Sequence, residues 1–386
     1  MSNFPQLKCL DPACWDYKAE GFDSIILTWV GPSNSEFNLK ALRLFKNHNE
    51  GFRRGNSQPL TDFTDRVVIL DKYINSFIRP HLPEVDAGTP VRVTQQFLED
   101  IERKITPKRP ESRIKESTIC ITSQVAILHD DHIPPNSLVI EIKPKWGFLP
   151  DCPIIDSSSP KLTVSRFQLM QRQKLKKGEI SAFTKYDPID LFSGDENRVD
   201  KAIRSLVENP QGNLKVFRDK NSSKLQENEI KKLVKVLNEH PALKKLLVMQ
   251  KLDVWDIECI PPIIEKADNP TWENLINDEA VINGVNSMFG TYHLPPSKSE
   301  VIELRDNLTK QEARIFIAAF CVSQAAKDCS FMITFKNRTT IGNETEAEEP
   351  EIFIIDFDMK MPELLLSNYL KNDQKIIEIY KEMEKC

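Results

Sequence analysis

The sequence predicts an α+β protein, and three features of it do the predicting. Near the N-terminus two apolar, β-branched runs, SIILTWV and NLKALRLFK, flank the turn residues GPSNSE. Residues 218–310 are polar, rich in Lys and Glu, and helical in period. Strand patterns return towards the C-terminus at FMITFK and EIFIIDFDMK. With 386 residues, 40% of them hydrophobic, the chain can bury a large core as one large or two closely apposed domains.

Taken in order, residues 19–46 read as strand, turn and strand, hence a β-hairpin. The preceding EGFDS has a single glycine, Gly21, where a phosphate-covering loop would usually have several to let backbone amides approach the phosphates. Phe63 to Pro80 carries Val67, Val68, Leu70, Ile74, Phe77 and Ile78 near helical spacing, which predicts one amphipathic helix ended by Pro80 and packed on the N-terminal sheet. Thr94 to Ile105 gives a second helix, and Lys104, Lys108, Arg109, Arg113 and Lys115 then surround two prolines in a basic, extended loop. Thr118 to Leu128 reads as a strand leading into HDDHIPP. There His129, Asp130, Asp131 and His132 have metal-ligand chemistry, but no further ligand cluster completes a site.

Ser137 to Pro150, SLVIEIKPKWGFLP, is the stretch around which the rest is organised. Leu138, Val139, Ile140 and Ile142 make a buried strand, and Pro144, which lacks an amide hydrogen, ends it between Lys143 and Lys145. Two lysines at one strand end suit an anionic ligand, although solvated lysine pairs are common. From Ser157 to Gly178 six basic residues (Lys161, Arg166, Arg172, Lys174, Lys176, Lys177) occur without one Asp or Glu. A solvated helix face would mix signs, so the run invites an anion. YDPIDLFSG, 186–194, reads as a structural corner, and Arg198 to Val207 as an amphipathic helix.

Near the C-terminus, an apolar helix ARIFIAAFCVSQAA ends in KDCS, the strand FMITFK follows, an acidic loop intervenes at 337–350, and EIFIIDFDMK returns as the second arm of a long-looped hairpin. Asp328 and Asp356 fall at the outer ends of these strands with Lys327 and Lys360 adjacent, so two carboxylates and two cations should converge on one mouth. Phosphoryl transfer uses such a set: one carboxylate to receive a hydroxyl proton, one to hold Mg²⁺, and cations to spread charge. A hairpin with merely charged ends is the plainer alternative.

Composition narrows the setting. The net charge of −5 argues against a general nucleic-acid binder, so any polyanion must be held by locally clustered Lys and Arg. Eight cysteines form no CxxC pair and fit neither a disulfide framework nor a zinc pattern, which predicts reduced thiols in cytosol or nucleus. No apolar run approaches a membrane span, and MSNFPQLK lacks a secretory core, so neither membrane nor export is expected.

EIKPKWGFLP, followed by SRFQLMQRQKLKKGE and YDPIDLFSG in that order, closely resembles the inositol 1,3,4,5,6-pentakisphosphate 2-kinase family, in patches from about Glu20 to Tyr380. The resemblance implies a bilobal kinase-like fold with a small N-terminal lobe (1–133) and a larger C-terminal lobe (134–386) holding the inositol phosphate. It implies ATP and Mg²⁺ as cofactors and inositol pentakisphosphate as substrate, and a monomer is expected. It assigns Gly21, Phe22, Asp23, Ser24 and Arg43 to the nucleotide phosphates, with Ser24 where asparagine is usual. Asp130, Asp131 and His132 fall at the adenine hinge. Glu141, Lys143, Asn213, Lys215 and Asp356 also belong to the nucleotide, Asp356 as metal ligand and Lys143 within the catalytic set. In PQGNLKVF, Gly212 replaces a family asparagine and Lys215 an arginine, which loses the planar fork. Arg113, Lys145, Arg166, Lys174, Lys360 and Tyr369 are implied on the substrate, and Asp328 in KDCS as general base. Leu364 or Leu365 stands where an arginine contact is usual. Some relatives carry a Cys/His zinc site within 218–310, but only His240, Cys259 and His293 are available, far apart, so no zinc is expected.

Two rivals stand beside the kinase. One is a degenerate family member that only binds inositol polyphosphates, favoured by the thin phosphate loop, Gly212 and the lost arginine, and opposed by retention of Asp328, Asp356 and Lys143 together. The other is an RNA binder using residues 161–177, which lacks interleaved aromatics beyond Phe167.

Overall fold

A computed structural model of the chain describes residues 4–50, 63–336 and 349–384; of the acidic loop read at 337–350, all but Glu349 and Pro350 lies outside the described residues. The protein is α+β, and its contacts divide it into two compact units, residues 1–72 with 86–134, and 73–85 with 135–386.

The first unit is built on an antiparallel sheet of β1 (Trp15–Glu20), β2 (Ser24–Trp29), β3 (Lys40–His48), β4 (Thr89–Arg92), β5 (Ser117–Ile119) and β6 (Val125–Asp130). Its order is β1-β2-β3-β6-β4, with β5 also on β3. Alternation puts Ile25 opposite Leu44 and Leu27 opposite Leu42, all fully buried. That apolar layer shares a core with Phe97, Leu98, Ile101 and Ile105, one face of the helix Gln95–Ile105. The expected hairpin is present. β1 was not expected, because WDYKAE lacks the β-branched residues that mark a strand; of its six residues only Trp15 is buried.

Three expectations change here. The segment Thr118 to Leu128 is two strands, β5 and β6, parted by a turn in which the Ser123 amide donates to the Cys120 carbonyl (3.2 Å). The basic stretch after Ile105 is not extended but forms a 3₁₀ turn at Thr106–Lys108 and a short helix at Glu111–Glu116. The helix expected over 63–80 runs from Thr64 to Tyr73 and continues as a π-helical turn at Ile74–Ile78. Only its first half, through Phe63 and Val67, joins the core under the N-terminal sheet. Tyr73 and Phe77 belong to the second unit and pack on Trp272 (ring centroids 4.8 and 5.8 Å).

The second unit carries a second antiparallel sheet of β7 (Ser137–Ile142), β8 (Leu214–Arg218), β9 (Asn221–Ser222), β10 (Ser330–Lys336) and β11 (Glu351–Ile355) in the order β11-β10-β7-β8-β9. β7 is buried along its whole length, as a central strand with an unbroken apolar run should be. The helical stretch after residue 226 divides at Pro241, giving Glu227–Glu239 and Pro241–Gln250, because proline suits a first helical turn and not an interior. The buried helix Lys310–Ala326 starts on a Thr309/Glu312 capping box and delivers Lys327 and Asp328 to the start of β10. β11 stops at Ile355 rather than running on to Lys360, since Asp356 adopts a left-handed conformation with φ of 59°. Among the described residues, no helix is long and apolar enough to cross a membrane.

Candidate active site

Pro144 ends β7 as its missing amide requires: the Lys143 amide makes the final bond, to the Asn213 carbonyl (2.9 Å), and Lys145 then turns with φ of 61°. A non-glycine residue in that region is held there by its surroundings. Tyr186 Oη donates to the Pro144 carbonyl (2.8 Å) from below. Gly147 lies so close to Phe192 that a Cβ would fall 2.2 Å from its ring, which fixes glycine here. The YDPIDLFSG string is thus a corner packed under the lysine turn. Asp187 caps its short helix Pro188–Leu191 through the Ile189 amide (3.0 Å).

The turn places Lys145 beside Asp328. Lys145 Nζ lies 3.3 Å from Asp328 Oδ1 and Lys360 Nζ 2.8 Å from Oδ2. Enclosure by protein works against the Asp328 charge, but the two lysines outweigh it and lower the carboxyl to about 2, even though 53% of the side chain remains open to solvent. Burial likewise opposes the Lys360 charge, and Asp328 more than restores it. Tyr369 is pushed up by burial and feels both Lys360 and Asp328, while Lys174 is pushed down by burial and by the charge of Lys145. Ser330 pairs with Ile355 across β10 and β11, so Asp356 emerges at the same end of the hairpin as Asp328; its Oδ2 is 3.9 Å from Lys143 Nζ. Five expected residues (Asp328, Lys145, Lys174, Lys360, Tyr369) therefore form one electrostatic neighbourhood, with the Lys143–Asp356 pair at the same sheet end.

Other expected residues have different surroundings. Glu141 and Lys215 are cross-strand partners joined at 2.8 Å, and Ser330 Oγ also reaches Glu141 (3.3 Å). Asn213 is buried and donates to the Pro210 carbonyl (3.2 Å) within its own turn. Lys327, expected at the mouth, is buried instead: it pairs with Asp253 and sits 4.0 Å from the centre of the Trp146 ring.

The single-signed run of 157–178 is not a free basic face. Buried Lys161 and half-buried Arg166 both pair with Asp373, Arg172 pairs with Glu384 (3.3 Å), Lys176 with Glu382 (2.6 Å) and Lys177 with Glu179 (3.7 Å). Lys174 alone of the six has no ion-pair partner among the described residues. The absence of acids within the run misled, because apart from Glu179 the partners come from the distant helices Asp256–Ala267 and Lys371–Met383 and from Glu384. Asp256, Glu258 and Asp373 gather closely enough to suggest a cation site, but Lys161 Nζ already occupies it, 3.2 Å from Glu258 and 3.1 Å from Asp373.

In the first unit, Gly21 to Ser24 turn from β1 to β2, with the Gly21 amide on the Ser24 carbonyl (2.9 Å). Phe22 stacks on His48 (4.1 Å between centroids), and His48 Nε2 meets Asp23 (3.2 Å). Arg43 lies on β3 opposite Ile26 and Ile127. Arg113 pairs with Glu116 (2.8 Å). Asp130 pairs with Lys40, and buried Asp131 with Lys18 and Thr28 (3.0 Å to its hydroxyl). His132 and His129 both face Asp86, at 2.7 and 3.8 Å. Burial opposes the Asp86 charge, yet the two histidines and the Gly88 amide hold it well below the carboxylate range. Among the described residues, these four side chains do not gather as a metal group.

Sequence reasoning missed Glu20. Its side chain is only 2% exposed beneath the Gly21 turn, bonded to Lys46 (2.7 Å) and Arg109 (3.0 Å), and Lys46 also donates to the Gly21 carbonyl (2.9 Å). Burial raises its pKa, but the two cations prevail and lower it. No spacing links residues 20, 46 and 109; the sheet places Glu20 near Lys46, and the turn after Lys108 brings in Arg109.

Lysines converging on a carboxylate, with a second carboxylate at the same sheet end, suit phosphoryl transfer to an anionic acceptor. The sequence model of the inositol-pentakisphosphate 2-kinase family matches residues 17–375, and the chain belongs to that family. It is 29% identical to the inositol-pentakisphosphate 2-kinase of Oryza sativa subsp. indica over 444 aligned positions, covering 96% of this chain and 94% of the relative. The enzyme of the same description from Arabidopsis thaliana is 27% identical, with 97% and 95% covered. That of Danio rerio is 32% identical over 55% of this chain and 44% of its own length.

Proposed function

We propose that this kinase transfers the γ-phosphoryl group of ATP to the 2-hydroxyl of inositol 1,3,4,5,6-pentakisphosphate, giving inositol hexakisphosphate and ADP, with Asp328 receiving the hydroxyl proton. The observation that carries the reading is the pair of lysines on Asp328, with Lys174 beside them in no ion pair among the described residues. The acceptor has a charge of about −8 to −10, at roughly −1.5 to −2 per phosphate. Lys145, Lys174, Lys360 and Tyr369 would grip its phosphates, and Arg113 and Arg166 are further candidates by family resemblance. Arg166 would first have to leave Asp373.

As substrate phosphates draw Lys145 and Lys360 towards themselves, Asp328 loses the partners that depress its pKa and becomes a better proton acceptor. The new O–P bond forms as the γ-phosphorus parts from the β-bridging oxygen, and the hydroxyl proton passes to the Asp328 carboxylate. Alignment counts for more than basicity in so loose a transition state. Mg²⁺ fits at Asp356, since this ion is commonly held by one or two carboxylates plus phosphate oxygens, and there it would neutralise developing charge. Lys143, at 3.9 Å, would add a cation to the same phosphates.

Gly21, Phe22, Asp23, Ser24, Arg43, Glu141, Asn213 and Lys215 are proposed towards the nucleotide phosphates, and Asp130 to His132 towards adenine. The Asp131 amide already donates to the Leu39 carbonyl (2.7 Å), so adenine recognition would rest on neighbouring backbone groups. The structure and the relatives add no support for the binding-only alternative beyond the thin phosphate loop, Gly212 and the lost arginine, and the paired cations of 161–177 weaken the RNA reading. The test is turnover of Mg-ATP and inositol pentakisphosphate by the parent and by Asp328→Asn at matched melting temperature. A loss of about 10²- to 10⁴-fold in kcat with substrate affinity kept is expected; a kcat within threefold of the parent moves the base elsewhere.

A further inference from the structure

Gln250 closes the helix Pro241–Gln250 and is completely buried. Its side-chain amide is fully engaged. Oε1 accepts the Gly147 amide proton (2.8 Å), and Nε2 donates to the carbonyls of Lys145 (2.8 Å) and Ala326 (3.1 Å). Its own main-chain carbonyl accepts from Ser323 Oγ. One side chain therefore bonds both flanks of the lysine turn to the end of the helix that delivers Asp328, two residues beyond Ala326. These segments are 105 and 76 residues away in sequence, and no other amide joins them among the described hydrogen bonds.

We propose that Gln250 is a positioning residue: its amide sets the separation of Lys145 from Asp328, and so the alignment of the acceptor's grip with its proton acceptor. This rests on the reading of Asp328 as base. Lys145 is in the left-handed region, from which an untethered lysine relaxes, and its ammonium lies only 3.3 Å from Asp328. A small movement of the turn relative to the helix end would misalign both groups at once, and displacements of this order are costly in positioned catalysis. Lys327 on Trp146 is a second tie between the same two segments, which explains why losing the amide should loosen the site without dismantling it.

Gln250→Met keeps the side chain's approximate shape and removes all three of its hydrogen bonds. Ser323→Ala removes only the bond to the Gln250 main-chain carbonyl. Both should lower the melting temperature. Assayed well below either melting point, Gln250→Met is expected to lower kcat by about 10- to 100-fold and raise KM for inositol pentakisphosphate, with KM for ATP unchanged. Ser323→Ala should stay within twofold of the parent in all three. The double variant Asp328→Asn/Gln250→Met should lose little kcat beyond Asp328→Asn alone, because groups that act as a unit are not additive. Parental kcat in Gln250→Met, or losses that multiply in full in the double variant, would overturn the proposal. Parental kcat in Asp328→Asn would overturn the base assignment instead. Should Gln250→Met not fold, Gln250→Glu keeps the acceptor for Gly147 and loses both donors, and parental kcat in that variant is equally decisive.

Discussion

Asp328 is held by lysines at 3.3 and 2.8 Å, and that arrangement determines how activity should respond to acid. Its carboxyl is lowered to about 2, below the ordinary value of about 3.9. The sign follows: the ion pairs favour the folded protein above pH about 4 and lose that contribution as pH falls through the depressed value. Removing Lys360, the largest of the opposing charges, should raise the pKa. In the parent, Asp328 then contributes no acid limb to kcat/KM above pH 4, whereas in Lys360→Met a limb should move upward into the measurable range. Substrate phosphates titrate alike in both, so the difference between the two profiles from pH 4 to 8 is the readout, and superimposable limbs would detach Lys360 from Asp328. Asp356 calls for a different outcome. As the metal-holding carboxylate, Asp356→Asn should abolish turnover while inositol pentakisphosphate binding, followed by calorimetry, changes little. An active Asp356→Asn enzyme would remove the assignment. Asp358, two residues further on, also lies beyond the end of β11 at Ile355, and Asp358→Asn should be milder.

At the scale of elements, the helix Arg166–Lys176 separates a proposed substrate contact, Lys174, from structural pairs along one stretch of chain. Lys174→Ala should raise KM for inositol pentakisphosphate by about 10- to 100-fold, the worth of one charge-assisted hydrogen bond. Arg172→Ala, which removes an ion pair to Glu384 and stacking 4.5 Å over Tyr380, should lower the melting temperature and leave that KM nearly unchanged. Equal KM effects in the two would return the whole run to substrate binding. The contrast also measures what the sequence could disclose. β7, its proline stop, the Asp328 and Asp356 ends of the hairpin and the helices around 95–105 and 310–326 were legible, because each depends on local pattern or on one residue's backbone chemistry. Lys161 and Lys327 were misjudged, because charge sign was visible and the partner was not: Asp256, Asp373 and Asp253 arrive through tertiary packing. Glu20 and Gln250 were invisible for the same reason, being single polar residues whose importance lies wholly in what the fold places around them.

For the molecule as a whole, a net charge of −5 opposes a polyanionic acceptor at long range, so on the proposed reading binding would depend on a few lysines gathered around Asp328. Salt tests that balance. Added ions shorten the Debye length from about 10 Å at 0.1 M to about 3 Å at 1 M, which removes the diffuse repulsion. They also compete for the lysines that the acceptor's phosphates must reach. With so many charges concentrated on one small ligand, the contact competition should dominate, and KM for inositol pentakisphosphate should rise steeply with ionic strength. Each lysine that touches a phosphate contributes to the slope of log KM against log salt, so Lys174→Ala should flatten it, while Arg172→Ala should leave it at the parental value. The melting temperature should move little over the same range, because the charges that hold the fold, such as Lys161 with Asp373 and Arg109 with Glu20, are buried and only weakly screened. Steady-state kinetics between about 0.05 and 0.5 M salt, with melting curves on the same samples, decides the matter. An unchanged slope in Lys174→Ala would mean that Lys174 does not meet the acceptor, and a melting temperature that falls in step with KM would mean that salt acts on the fold rather than on the site.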